Sequence, residues 1–259
     1  MIKFTIITCT YNASDVLRRT LESVMEQDYI SVEHLIIDGK SKDNSVLISK
    51  RYKEDNDTAN TGHEVIISSE PDRGLYDAMN KGIARATGDY LVFLNAGDCF
   101  HSKETLSYVA SCVGENEVLP AVFYGDTDIV DDNGNFIRPR RLVPPEKLSW
   151  RSFRNGMLVC HQSFYARADI AKTILYDFAS YRLSADVDWC IRIMKEGQKR
   201  ELPLRRVHAV LTDYLDGGMS VKNHKASLKE RFMVMRKHYG LITTIIMHCF
   251  FIFRAVIKK

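Results

Sequence analysis

The sequence predicts an α/β fold: a Rossmann-like, mostly parallel sheet flanked by helices, with a small antiparallel extension. Three observations predict it. Strand and helix patterns alternate through the first hundred residues, which implies parallel strands joined by right-handed crossovers. Polar residues stand where the strands end, at Thr10-Tyr11-Asn12, Asp38-Gly39, Glu70-Pro71-Asp72 and Asn95 to Asp98; sheets of this kind bind ligands beyond the carboxyl ends of their strands. After residue 100 the alternation gives way to short strands and a hairpin signal.

The elements follow in order. Ile2 to Thr8 is a short apolar run bounded by turn-formers, as a buried parallel strand requires. Val16, Leu17, Thr20, Leu21, Val24 and Met25 lie at helical spacing, with Ser14 as N-cap. Val32 to Ile37 is the second strand, and Asp43 leads into a helix over Val46 to Tyr52. Residues 53–63 are polar and read as a loop. Val65 to Ser68 is the third strand, a helix carries Leu75, Met79, Ile83 and Ala86, and Tyr90 to Leu94 is the fourth strand. Val122 to Gly125 and Asp128 to Val130 read as two short strands, followed by a hairpin turn at Asp132-Asn133-Gly134-Asn135. Gln162 to Ala166 reads as a strand and Asp186 to Lys195 as a helix.

The length of 259 residues suits one large domain with a short appendage. The chain divides into a catalytic domain, 1–222, and a C-terminal helical segment, 223–259. Within the former, 1–100 reads as a nucleotide-binding half and 101–222 as an acceptor-binding half. A net charge of +3 gives no bulk electrostatic case for nucleic acid. Six scattered cysteines form no C-x-x-C pair, and no Cys/His spacing suits zinc. They read as core residues in a reducing compartment. The N-terminus opens on a strand rather than a secretory signal, so the expected location is cytoplasmic. Leu241 to Phe253 is almost wholly apolar and basic-flanked, but shorter than the ~20 residues of a membrane span. Such a helix either lies in the inner face of the membrane or packs on the domain or on a partner.

The motifs, in order, are Thr8-Cys9-Thr10-Tyr11-Asn12, Ile37-Asp38-Gly39-Lys40-Ser41-Lys42-Asp43-Asn44-Ser45, Asp72-Arg73-Gly74-Leu75-Tyr76-Asp77-Ala78-Met79-Asn80-Lys81-Gly82 and Ala86-Thr87-Gly88-Asp89-Tyr90. Asn95-Ala96-Gly97-Asp98, Tyr124-Gly125-Asp126, Cys160-His161-Gln162-Ser163-Phe164-Tyr165, Ala185-Asp186-Val187-Asp188-Trp189 and Gly217-Gly218-Met219-Ser220 follow. Each alone is weak. Together, over roughly residues 2–222, they resemble the family 2 inverting glycosyltransferases of GT-A fold, especially bacterial members that build surface polysaccharides.

The resemblance implies transfer of a sugar from a nucleoside diphosphate donor, with uridine the commonest base, to a saccharide or lipid-linked saccharide. Asp38 and Asp72 match family positions that hold the nucleotide; as residues alone they read equally as a turn aspartate and a helix cap. Thr10, Tyr11 and Asn12 line the base pocket in this reading, Asn95 belongs to the same strand-end set, and Lys81 matches a commonly basic position. Asp98 stands in the family's metal motif and implies Mg2+ or Mn2+ on the leaving diphosphate; Asn95 and Gly97 depart from the acids often found there. Asp186 is the catalytic base, followed by Trp189 and Arg192 at the family's spacing, with Ala185 in place of its usual glutamate. A base is needed because in-line attack at the anomeric carbon frees the acceptor's hydroxyl proton. Asp188, two positions on, points elsewhere. His161 and Gln162 match acceptor-side positions, and Gly217 to Ser220 a closing loop.

Three other readings compete. A nucleotidyltransferase would carry a glycine-rich basic loop after the first strand, where Thr10-Tyr11-Asn12 stands. A non-catalytic sugar-nucleotide or glycan-binding protein has no need of Asp186. NAD binding lacks G-x-G-x-x-G.

Overall fold

The structure, a computed structural model, describes residues 1–114, 117–218 and 223–257. Phe4–Thr10 (β1), Val32–Asp38 (β2), Glu64–Ser69 (β3) and Tyr90–Phe93 (β4) run parallel in the order β3-β2-β1-β4. β1, β2 and β4 are buried along their whole length, and the polar side chains within them are paired, Thr5 with Glu33 at 2.6 Å and Thr8 with His34 at 2.9 Å. The crossovers are Ser14–Met25 (α1), Ser45–Ala59 (α2) and Leu75–Arg85 (α3).

Two local expectations change. Ser14 is the first helical residue of α1 rather than its cap. The capping acceptor comes from the neighbouring loop, where Asp43 Oδ2 accepts the Ser14 N–H at 2.9 Å and Oδ1 that of Ser45 at 3.0 Å. Desolvation works against this carboxylate, yet the hydrogen bonds outweigh it and lower its pKa to about 2. α2 runs seven residues beyond Tyr52, through a stretch expected to be loop. That polar run is largely the helix's solvent face, anchored by buried Asn56 donating to the His63 carbonyl at 3.0 Å. It stops where Asn60 turns left-handed at φ 51°.

The sheet continues through Phe164–Arg167 (β8), Val122–Val130 (β6), Leu204–Leu215 (β9) and Cys99–Phe100 (β5), with Phe136–Pro139 (β7) hairpinned onto β6. The antiparallel extension is there: β8 opposes both β4 and β6, and β5 opposes β9. The two short strands expected over 122–130 are one strand, because Gly125 marks a close approach rather than an end. A Cβ there would sit 2.5 Å from Leu211 Cγ on β9, and the β6–β9 register shifts at this point. Residues 161–163 form a 3-10 turn ahead of β8, which starts two residues later than expected.

The remaining helices are Thr105–Ser111 (α4), Ala168–Ala171 (α5), Ala185–Lys199 (α6), His224–Tyr239 (α7) and Leu241–Ile257 (α8). One core lies between the sheet and α3 and α6, around Met79, Phe93, Phe164 and Trp189. A second lies on the other face, around Phe4, Val24, Leu106 and Phe123. Among the described residues no helix is long and apolar enough to cross a membrane.

Candidate active site

The residues just beyond the carboxyl ends of β1, β2 and β4 hold the strand-end motifs. Tyr11, just beyond β1, is 61% exposed. Gly39, just beyond β2, lies beneath it. A Cβ at Gly39 would meet Asp72 Oδ2 at 2.4 Å and the Tyr11 ring at 3.2 Å. Tyr11, Gly39 and Asp72 thus pack together so closely that position 39 has room only for a glycine. Asp72 Oδ1 accepts the Gly74 N–H at 2.8 Å at the start of α3, so this side chain is both turn acceptor and pocket wall.

Two buried oxygens at these strand ends lack a protein partner: Thr10 Oγ1 and Asn95 Oδ1. Unpaired buried polar atoms are rare, and at strand ends they are what a bound polar ligand satisfies. Asp38 is differently placed. It is 1% exposed, and its carboxylate accepts the Ser41 N–H at 3.0 Å and the Ser41 and Ser69 hydroxyls. It therefore shapes the loop that carries Gly39. Asn12, at φ 47°, accepts the Lys42 N–H at 2.8 Å and ties the two loops together. Lys81 Nζ donates to the Pro71 carbonyl at 2.6 Å, next to Asp72, with Glu70 3.6 Å away.

Asp98 lies in the turn after β4, where its N–H donates to the Asn95 carbonyl at 2.9 Å. Its carboxylate is buried and accepts the Leu215 N–H at 3.0 Å and Gln162 Nε2 at 2.9 Å. Both partners are neutral amides, and no cation pairs with it among the described residues. Desolvation pushes its pKa up to about 7. Hydrogen bonds from Leu215 and Gln162 and the more distant Arg19 charge offset part of that cost, and a buried carboxylate of this kind is a ligand type that a hard divalent cation takes.

Asp186 sits half-buried in the first turn of α6. The Tyr76 hydroxyl, from the first turn of α3, donates to its Oδ1 at 3.1 Å. Burial and the Asp186 charge hold the Tyr76 hydroxyl well above an ordinary phenol, so it stays a donor. Tyr76 stacks on Tyr176, and Tyr176 on Trp189 of α6, at centroid distances of 5.5 and 4.8 Å. This stack joins α3 to α6. Asp188 points the other way, fully buried, with Arg192 Nε at 2.6 Å, Lys237 Nζ at 3.0 Å and His238 Nε2 at 2.8 Å.

His161 and Gln162 lie under the site, 4% and 5% exposed, and neither presents a surface to an acceptor. His161 Nε2 is 2.6 Å from the Tyr176 hydroxyl, and burial lowers its pKa to about 4. Gln162 holds Asp98. Of the Gly217-to-Ser220 loop, Met219 and Ser220 lie outside the described residues.

A separate group, His101, Asp128 and Asp213, places three potential metal-ligand atoms within 4.8 Å of one another. On β9 the Thr212 hydroxyl is buried against the Gln162 carbonyl, so Asp213, one residue on, meets His101 on the opposite face of the sheet. Sequence reasoning quoted Gly39 and Tyr76 only as parts of motifs. The Asp-Gly pair at the end of β2 was a signal for the first. Only the fold brings Tyr76 to Asp186.

Comparison with known proteins gives a consistent result. The model of glycosyl transferase family 2 matches residues 5–175. A PGL/p-HBAD biosynthesis glycosyltransferase of Mycobacterium bovis is 34% identical over 218 residues, 84% of this chain and 78% of that protein. The amylovoran biosynthesis glycosyltransferase AmsB of Erwinia amylovora is 29% identical, over 81% and 70%. Among solved structures, S. aureus TarS 1-349 in complex with UDP-GlcNAc superposes with TM-score 0.69 at 18% identity, covering 91% of this chain and 65% of that one. The mannosyltransferase PcManGT of Pyrobaculum calidifontis gives 0.64 at 14%, over 95% and 74%.

Proposed function

The chain belongs to glycosyl transferase family 2, and on that premise we infer that it is an inverting transferase that moves a sugar from a nucleoside diphosphate donor to a glycan hydroxyl in surface polysaccharide assembly. The observation that carries the reading is the Tyr76–Asp186 contact. It fixes the orientation of the one carboxylate at the family's base position, and the unpaired Thr10 and Asn95 oxygens at the strand ends support a donor site there.

The donor base lies in a slot against the exposed Tyr11 beside Gly39, with Asp72 as its polar partner. Thr10 and Asn95 supply buried oxygens below it, Asp38 and Asn12 fix the loops, and Lys81 adds positive charge beside Asp72. Mg2+ or Mn2+ would be held by Asp98 with Asn95, and would neutralise the charge that develops on the leaving diphosphate. Tyr76 occupies Oδ1 of Asp186, leaving Oδ2 to take the proton as the acceptor oxygen attacks the anomeric carbon and the bond to the diphosphate breaks. Attack opposite the leaving group inverts the configuration. The acceptor is a saccharide, in the lipid-linked form expected of such assembly.

The test is release of nucleoside diphosphate from a panel of nucleotide sugars with Mg2+ or Mn2+, comparing wild type with Asp186→Asn. Donor binding should survive while turnover falls by about 10²–10⁴-fold. Absence of binding to every nucleotide sugar in the presence of metal would overturn the reading.

A further inference from the structure

α8 wears its polarity inside out. Two of its polar side chains face the protein: Thr244 is fully buried with its hydroxyl on the Gly240 carbonyl, and His248 packs edge-on against Phe232 of α7 while bonding the Thr244 carbonyl. Its solvent face is apolar. Ile242, Ile245, Ile246, Cys249 and Phe253 are all exposed, Ile242 by 76% and Phe253 by 64%. Their spacing of three and four residues makes one continuous stripe along the helix. No charged residue interrupts Leu241 to Phe253. A helix that only packed on its own domain would bury this stripe and expose the threonines.

Charge indicates what covers it. Residues 224–259 contain eight lysines and arginines against one glutamate, leaving 28 basic and 32 acidic residues in the first 223. A net-acidic catalytic body thus carries a strongly basic helical pair, with Lys225, Lys229, Arg231 and Arg236 exposed on α7. A second copy docked through α8 would bring two such cationic pairs together. An anionic lipid surface complements the charge and the apolar stripe at once. Seventeen residues rise roughly 25 Å, short of the ~30 Å hydrocarbon core, so the helix lies in the surface and does not span it.

We propose that α8 and the basic face of α7 form an interfacial docking surface for an anionic membrane, independent of the chemistry assigned to the site. The test is co-sedimentation of the full chain with phosphatidylcholine vesicles, with and without phosphatidylglycerol. Wild type should pellet with the anionic vesicles only, and less as salt rises. Ile242→Glu with Ile246→Glu should lower the bound fraction about tenfold or more. Circular dichroism and hydrolysis of the donor sugar should stay unchanged in that variant. Wild type left in the supernatant with anionic vesicles, or a double variant that binds equally well, overturns the proposal. So does a wild-type dimer that becomes monomeric in the variant without any vesicle binding, which would assign the stripe to a second copy.

Discussion

The Tyr76 hydroxyl donates to Asp186 Oδ1 at 3.1 Å across 110 residues of sequence, and so links the first turn of α3 to the first turn of α6. Tyr76→Phe keeps the stack on Tyr176 and removes only this hydrogen bond. We expect turnover to fall about tenfold with donor affinity within twofold, since hydrogen bonds to charged groups contribute roughly 1.5–3 kcal/mol. Steady-state kinetics beside donor titration calorimetry separates the two. An equal loss of both would make Tyr76 a donor contact instead.

Gly39→Ala would thrust a methyl group to 2.4 Å from Asp72 Oδ2, where the side chain must move. Donor affinity should drop about tenfold or more, with the melting temperature little changed because the slot faces solvent. Calorimetric titration with a nucleoside diphosphate alone reads this directly.

Chelation should abolish turnover, and Mg2+ or Mn2+ should restore it. Asp98→Asn should raise the metal concentration needed about tenfold or more, whereas Asp213→Asn, on the other face of the sheet, should leave it within about twofold. The opposite ranking would place the functional cation at His101, Asp128 and Asp213.

Asp188 is a stability residue. Desolvation opposes its charge, but His238, Arg192 and Lys237 more than compensate and hold its pKa far below the usual carboxylate range. Its contribution is therefore present above about pH 4 and lost as pH falls through the folded-state value. Asp188→Asn should destabilise by roughly 3 kcal/mol at pH 7. In denaturant titrations the gap to wild type should narrow below pH 4.

Two buried histidines work in the opposite pH direction to a salt-bridged histidine. Burial lowers His34 to about 3 and His161 to about 4, so the folded state refuses protons that the unfolded chain accepts below about 6.5. Stability should fall as pH drops from 6.5 toward 4, by up to about 1.4 kcal/mol per pH unit for each histidine. The melting temperature against pH checks this, and His34→Gln should flatten the slope.

The parallel half of the fold was legible because β1, β2 and β4 are rich in apolar and β-branched residues bounded by turn-formers and alternate with helical periods. β9 was not: its burial mixes with exposed and half-buried positions, so Leu204 to Leu215 shows neither clean period. α2 was cut short because a polar helix surface and a polar loop have the same composition. In the site, Tyr11, Asp72 and Asp186 could be chosen from strand ends and motif order; the structure packs Tyr11 and Asp72 about Gly39 and ties Asp186 to Tyr76. Asp38, His161 and Gln162 sit in the same motifs but face inward, and sequence position does not report which way a side chain turns. The Glu230 contacts to the Arg182 and Leu183 N–H groups, at 3.1 and 2.7 Å, had no sequence signal at all.

Those contacts, with Asp188 held by Lys237 and His238, bear on how the chain comes off the ribosome. The residues that neutralise Asp188 are made 49 and 50 positions after it. Until they emerge, the start of α6 carries a carboxylate with only Arg192 to answer it, and the peptide before Asp186 has no Glu230 to seat it. The first turn of α6 is thus completed by α7: a chain cut before α7 would leave the buried Asp188 carboxylate with Arg192 alone and the 182–183 peptide without its acceptor.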